Sequence, residues 1–182
     1  GKQTIHFYED AELLEMGISA ETLNSPNYVK AIGRIEDIDH FDSGFFDYTP
    51  AEAKLISPQY RILHSGLWNA FEDAGYFPGS TESSIGLFLS GSDDFDWYQD
   101  FITNENDFSL KYQGFTLSTN HFLATRLAYK FNLKGPVFTS LSGCSSSLLT
   151  VHLACQSLIL KECDIAVAGG ITISLPNKGG YF

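Results

Sequence analysis

The sequence predicts an α/β fold. Three observations carry that reading: a short apolar run, Ile85–Ser90 (IGLFLS); a strand–helix–strand pattern from Val137 to Ala168; and capped amphipathic helices ahead of both. A strand, an apolar helix and a second strand in succession make a βαβ unit.

Residues 1–48 read as irregular, apart from a short helix over Asp10–Met16 ended by Gly17. Thr49-Pro50-Ala51-Glu52 is a capping box with proline at the first helical position. Ser57-Pro58 starts a second helix, whose apolar face (Ile62, Leu63, Leu67, Ala70, Phe71, Ala74) runs to Gly75. Ile85–Ser90 is a buried strand bounded by Gly91. The acidic, aromatic stretch Ser92–Phe108 reads as a loop or lid with a short helix. Its acids do not form a calcium loop, because glycine is absent from the sixth position and glutamate from the twelfth. Ser118 is expected to cap a helix through about Phe131, with Phe122, Leu123, Leu127 and Phe131 inward. After Gly135-Pro136, Val137–Leu141 reads as a strand, and Ser142-Gly143-Cys144 as a tight turn into a helix from Ser145 to about Leu160. Asp164–Ala168 is a second strand, Gly169-Gly170 a break, and Ile171–Leu175 a third strand.

Composition narrows the function classes. A chain of 182 residues buries roughly 70% of the surface that its unfolded form exposes. At 43% hydrophobic and 18% charged it is no disordered tail. With 11 Lys+Arg against 22 Asp+Glu, it lacks the basic face that a nucleic acid requires. Cys144, Cys155 and Cys163 are an odd number without CxxC or CxxC…HxxxH spacing, so no disulfide framework or metal site is expected. Reduced thiols fit a cytoplasmic setting. The N-terminus has no signal-peptide pattern, and the longest uncharged run, Gly135–Leu160, is too rich in Ser, Thr and Gly to span a membrane.

The chemistry concentrates at Cys144. It follows a strand and a glycine and precedes a helix opening Ser145-Ser146-Ser147. The unpaired N–H groups at a helix start favour a thiolate and can hold the oxyanion of an attacked thioester. Gly143 permits the sharp turn and leaves room for an acyl group. The helix SSSLLTVHLACQSLIL carries no charge, so it is expected to be buried on more than one face. Free cysteine is more often a small buried hydrophobe, and Cys155 and Cys163 are read that way. A nucleophile also needs a base. His152 lies eight residues along the helix, about 12 Å away, and is assigned to packing. His6, His40, His64 and His121 have no positional argument for convergence on Cys144.

These residues resemble a known family. The segment LSTNHFLATRLAYKFNLKGPVFTSLSGCSSSLLTVHLACQSLILKECDIAVAGGITISLP, with IEDIDHFDSGFFDYTPAEAKLISPQYRILHSGLWNAFEDAGYFP before it and NKGGYF after it, is similar to the N-terminal half of β-ketoacyl synthases. Within the family it looks most like ketosynthase domains of modular polyketide synthases served by a separate acyltransferase. The resemblance runs from about Tyr28 to Phe182. It implies a thiolase-like fold (layered α-β-α-β-α) and an acyl-thioester nucleophile at Cys144. It implies that residues 1–182 are the N-terminal part of a single ketosynthase domain, truncated at both ends. The family's two extender-activating histidines belong to C-terminal motifs that nothing here matches.

The implied partners are an acyl carrier protein, whose phosphopantetheine arm delivers the chain, other modules of a synthase, and a second copy paired through the strand 137–141. The implied reaction is acyl transfer to Cys144, then decarboxylative Claisen condensation with a malonyl-type extender. Two alternatives stand beside it: a non-condensing ketosynthase-like domain that binds or passes on acyl chains or scaffolds a dimer, and a hydrolase using Cys144 in an elbow. The family usually has Ala before the cysteine; Gly143 here predicts space for a chain substituted near its β-carbon, making Gly143 a substrate-binding candidate. The family's usual Asp-Pro-Gln is Ser57-Pro58-Gln59, where serine is expected to cap the helix equally well.

Overall fold

The computed structural model describes residues 3, 5–33, 35, 37–78, 82–92, 97, 99, 106–173 and 179–181. The chain forms two compact units, one of Gly1–Ile38 with Ser174–Phe182, the other of Asp39–Ile173.

The first unit corrects the expectation of irregular structure before residue 48. Strands β1 (Ile5–Phe7) and β2 (Ala31–Gly33) pair antiparallel, Ile5 opposite Gly33 and Phe7 opposite Ala31. Between them lie the expected helix, α1 (Asp10–Glu15), and an unexpected single turn, α2 (Ala20–Leu23). Ser19 caps α2, its Oγ accepting from the Thr22 N–H at 3.1 Å. Tyr8, Leu13 and Leu23 form the small core, and Val29 and Tyr181 exchange backbone bonds of 2.7 and 3.0 Å.

The second unit holds α3 (Pro50–Leu55), α4 (Pro58–Ala74), β3 (Ile85–Gly91), α5 (Phe108–Ser118), α6 (Leu123–Lys130), β4 (Val137–Thr139), α7 (Ser146–Ile159) and β5 (Ile165–Ile171). The capping box forms as expected: Thr49 Oγ1 accepts from Glu52 N–H, and the Glu52 carboxylate accepts from Thr49 N–H at 2.8 Å. The Thr49 N–H and, with it, the Thr49 hydroxyl donating to the same oxygen hold the Glu52 carboxyl below its ordinary pKa. Gly75 ends α4 in the left-handed region at φ 74°. Ser57 occupies the N-cap of α4 without making a side-chain cap bond, so the expected equivalence with aspartate does not rest on capping. Its N–H instead donates to Ser118 Oγ at 3.0 Å, and that hydroxyl donates to Leu55 O.

Ser118 therefore ends a helix rather than starting one. Asp107 caps α5 through Ser109 N–H, and a 3-10 turn (Asn120–Phe122) leads into α6. Phe122, expected inside, is 46% exposed, while Leu123, Leu127 and Phe131 are buried. The lid expectation for residues 92–108 falls mostly outside the described residues. Strand β4 is shorter than Val137–Leu141, although Ser140 N–H still donates to Leu89 O. The break at Gly169-Gly170 is absent: β5 runs through both glycines to Ile171, and residues 174–175 of the expected third strand lie outside those described.

All three strands are parallel in the order β4-β3-β5. Every residue of β3 is buried, as a central strand covered on both faces requires. Ile85, Leu87 and Leu89 pack with Leu123 and Leu127 of α6, and with Tyr60, Leu67 and Phe71 of α4. On the opposite face Ser90 stands beside Gly170 in register, and α7 lies against them. A Cβ on Gly170 would sit 2.6 Å from Ser90 Oγ and 2.7 Å from Ser147 Cβ, so only glycine lets the helix come this close. Successive crossovers thus take opposite faces, the arrangement that right-handed connections produce when the first steps from β3 out to β4 and the second returns from β4 across β3 to β5.

His64 is fully buried in the core of this unit, ringed by Phe41, Phe46 and Tyr48. The Tyr60 carbonyl, 2.6 Å from Nδ1, can only accept, so Nδ1 carries the proton and Nε2 accepts from the Tyr48 hydroxyl at 3.1 Å. Burial pushes the imidazole down to about 4 and the Tyr48 phenol up to about 12. Among the described residues no helix is long and apolar enough to cross a membrane.

Candidate functional site

The parallel sheet fixes where a site can form. At its carboxyl edge the connections from β3 and β4 depart toward opposite sides, leaving a crevice beyond the strand ends. A cleft of about 450 Å³ lies there. Ser90 and Gly91 enter it from β3, Gly170 and Ile171 from β5, and Leu141 from the segment after β4. The start of α7 closes it with Gly143, Cys144, Ser146 and Ser147.

Cys144 is exposed and lines this cleft. Gly143 lines it too, at φ 64°, with nothing within 4 Å of where a Cβ would stand. The backbone there is in a conformation that L side chains rarely adopt. Cys144 precedes the helix by two residues rather than lying in its first turn. Ser146 N–H donates to Gly143 O at 3.1 Å, and Ser145, at φ −90° and ψ 1°, is the third residue of that turn. Leu149 N–H makes the first bond of the α7 ladder, to Ser145 O. The N–H groups of Ser147 and Leu148 donate to no backbone carbonyl among the described residues.

Among the described residues, helix α7 is covered on one face only. Thr150, Ala154 and Ser157, at helical spacing, are buried against the sheet, and Thr150 Oγ1 donates to Ser147 O at 2.7 Å. Leu148 is 72% exposed, and Val151 and Ile159 are also exposed. The expectation of burial on several faces therefore fails within this chain: uniform apolarity does not say which side the chain itself covers. Cys155, read as a buried hydrophobe, is exposed on that uncovered side, whereas Cys163 is buried as expected, its thiol donating to Ser157 Oγ at 3.6 Å. His152 is exposed rather than packed, beside a groove with Leu148 and Val151. Neither His152 nor His121 lines the Cys144 cleft, and His64 belongs to the core. Among the described residues no group of three or more His, Cys, Asp or Glu is placed to hold a metal ion.

Sequence reasoning found Cys144 and Gly143 but missed Ser90, Ser147 and Thr172 in the cleft wall. Ser90 ends an apolar strand run, and nothing local marks it as a wall.

Comparison with known proteins agrees with this architecture. The chain is 37% identical, over its whole length, to a phenolphthiocerol/phthiocerol polyketide synthase polypeptide of Mycobacterium tuberculosis, of which it spans 13%. It is 39% identical over 152 residues, 81% of its length, to polyketide synthase PksL of Bacillus subtilis, spanning 3% of that protein. The solved ketosynthase twelve of the bacillaene polyketide synthase from Bacillus amyloliquefaciens superposes with a TM-score of 0.88 at 32% identity, covering 99% of this chain and 31% of that one. The module 1 ketosynthase of the bacillaene synthase from the same species gives 0.80 at 33% identity, covering 96% and 30%. The fold is thus the N-terminal half of the thiolase-like fold. The likeness also takes in the residues before Tyr28, for residues 1–182 match throughout the description Beta-ketoacyl synthase, N-terminal domain. The chain belongs to the β-ketoacyl synthase family, as an N-terminal domain of the polyketide synthase kind.

Proposed function

We propose that Cys144 is the acyl acceptor of a condensing enzyme. Its sulfur attacks the thioester carbonyl of a chain held on the phosphopantetheine arm of an acyl carrier protein. A new C–S bond forms to Cys144, the bond to the arm breaks, and the arm's thiol leaves with the proton. A malonyl-type extender then loses CO2, and its carbanion attacks the acyl-Cys144 carbonyl. The new C–C bond releases Cys144 and leaves a chain longer by a β-keto unit.

One observation carries this reading: the cysteine stands in a cleft at the carboxyl edge of a parallel sheet, beside the start of α7, where the Ser147 and Leu148 amides donate to no backbone carbonyl among the described residues. Gly143 is the substrate-binding position in this reading, giving room for a chain substituted near its β-carbon. The carrier protein and the other modules of a synthase with a separate acyltransferase are the partners, in the cytoplasm. Residues 1–182 serve as the N-terminal part of a single ketosynthase domain. Strand β4 is an edge strand among the described residues, and Phe138 there is 53% exposed, which supports a homodimer formed through strand 137–141.

Incubating the full-length protein that carries this chain with an acyl-carrier thioester tests the reading. Mass is expected on Cys144 and is lost in Cys144→Ala. An adduct that persists in that variant sinks the assignment. Acylation without elongation, when extender is supplied, selects the non-condensing transfer domain instead.

A further inference from the structure

Two serine hydroxyls at the start of α7 grip the turn that presents Cys144. Ser142 N–H donates to Ser146 Oγ at 2.7 Å, and Ser146 Oγ–H donates to Gly143 O at 2.7 Å. One hydroxyl thereby satisfies an amide and a carbonyl from adjacent residues. Ser145 Oγ–H donates to Ser142 O at 3.0 Å. Because a carbonyl can only accept, that proton is committed, and the remaining contact at 3.1 Å runs from Ser142 Oγ–H to Ser145 Oγ. The two side chains that follow Cys144 thus turn back onto the two residues that precede it. Cys144 sits between clamped segments, although it is exposed and Gly143 supplies no side chain to hold the turn.

We infer that Ser146 is a positioning residue for the Cys144 sulfur, with Ser145 as the second arm of the clasp. The inference rests on the nucleophile reading above and adds to it. Glycine before the cysteine gives the turn freedom that a reacting atom must not have, since misplacement by about 1 Å costs orders of magnitude in rate. The Ser146 bonds remove that freedom from the backbone without placing a side chain over the sulfur. A helix that needed only a cap would bond a side chain to its own N2 or N3 amide; Ser145, at the N-cap of α7, makes no such bond.

The test uses Ser146→Ala and Ser146→Thr in the full-length protein that carries this chain, with acylation of Cys144 by an acyl-carrier thioester followed by mass and time course. Ser146→Ala is expected to slow the maximal acylation rate roughly tenfold, the loss of about two hydrogen bonds from the turn. The carrier concentration at half-maximal rate stays unchanged. Ser146→Thr, which keeps the hydroxyl, restores the rate to within about twofold, an order-of-magnitude expectation for the same bonds. A wild-type rate in Ser146→Ala overturns the inference. So does a slow Ser146→Ala that Ser146→Thr fails to rescue while both melt at the wild-type temperature, or a defect confined to the half-maximal concentration. If Ser146→Ala fails to fold, the rate of Ser146→Thr decides alone: near wild type upholds the hydroxyl's role and a tenfold loss ends it. A wild-type protein that takes no acyl group removes the nucleophile reading itself, an outcome distinct from all of these.

Discussion

The two faces of β3 are built on opposite rules. One carries Ile85, Leu87 and Leu89 into a core of Leu and aromatic side chains from α3, α4 and α6. The other carries Gly86, Phe88 and Ser90 toward β5 and α7, where Gly170 lets the helix start approach the strand ends. The first face fills volume and supplies stability. The second buries Phe88 against Phe138, but at its carboxyl end it gives up side-chain volume, at Ser90 and Gly170, so that Cys144, Ser146 and Ser147 can stand at the mouth of the sheet. Stability and reactivity are therefore separable by which face of one strand is changed.

The sharpest test of that contrast is Leu87→Ala. Leu87 is fully buried, so a loss of about 2–5 kcal/mol of unfolding free energy is expected by denaturant titration. Alkylation of Cys144 in native buffer should proceed at the wild-type rate. A large rate change would show that the two faces are coupled.

Acid should attack the filled face. The His64 imidazole is held at about 4, below its ordinary 6.5, chiefly by burial, with the Lys130 and Arg126 charges adding to the effect. Below pH 6.5 the unfolded chain takes up a proton that the folded chain refuses. The contribution is therefore whole above about pH 6.5 and drains away as pH falls toward 4, by about 3 kcal/mol. Denaturation at several pH values should show this slope, and His64→Phe should flatten it whatever its absolute stability.

On the other face, Gly170→Ala forces a Cβ against Ser90 Oγ and Ser147 Cβ. The expected loss is about 1–3 kcal/mol, smaller than for Leu87→Ala. Here the alkylation rate of Cys144 should change several-fold, because the start of α7 must shift. An unchanged rate would break the comparison. The smallest effect belongs to a site remote from both faces: Thr49→Ala removes the α3 capping box for about 1 kcal/mol, seen as a lower melting temperature with Cys144 unaffected.

What the sequence revealed follows the same division. Thr49 and Gly75 mark helix ends through bonds within three or four residues, Pro58 marks one by its preset φ and missing N–H, and Ile85–Ser90 declares a buried strand by its continuous apolarity. The turn at Cys144 was also legible, since strand, glycine, cysteine and helix are consecutive. The pairing of Ile5–Phe7 with Ala31–Gly33 was not, because its bonds span more than twenty residues and each strand is only three residues long. Gly169-Gly170 reads locally as a break, but Gly170 has a tertiary reason: it admits the approach of α7, which no neighbouring residue announces. Helix α5 escaped because Phe, Tyr and Thr crowd it, and its signal, the Asp107 cap, is a single residue. The hydroxyls of Ser145 and Ser146 read as generic helix-start serines; only coordinates show them turned backward.

The left-handed backbone at Gly143 ties two properties to one atom count. Any L residue placed there narrows the crevice and, in the same stroke, strains the bend by about 1–2 kcal/mol. In the proposed reading, acceptance of bulkier chains and the aim of the sulfur thus cannot be tuned independently at residue 143, and widening or narrowing this crevice there means rebuilding the bend with it.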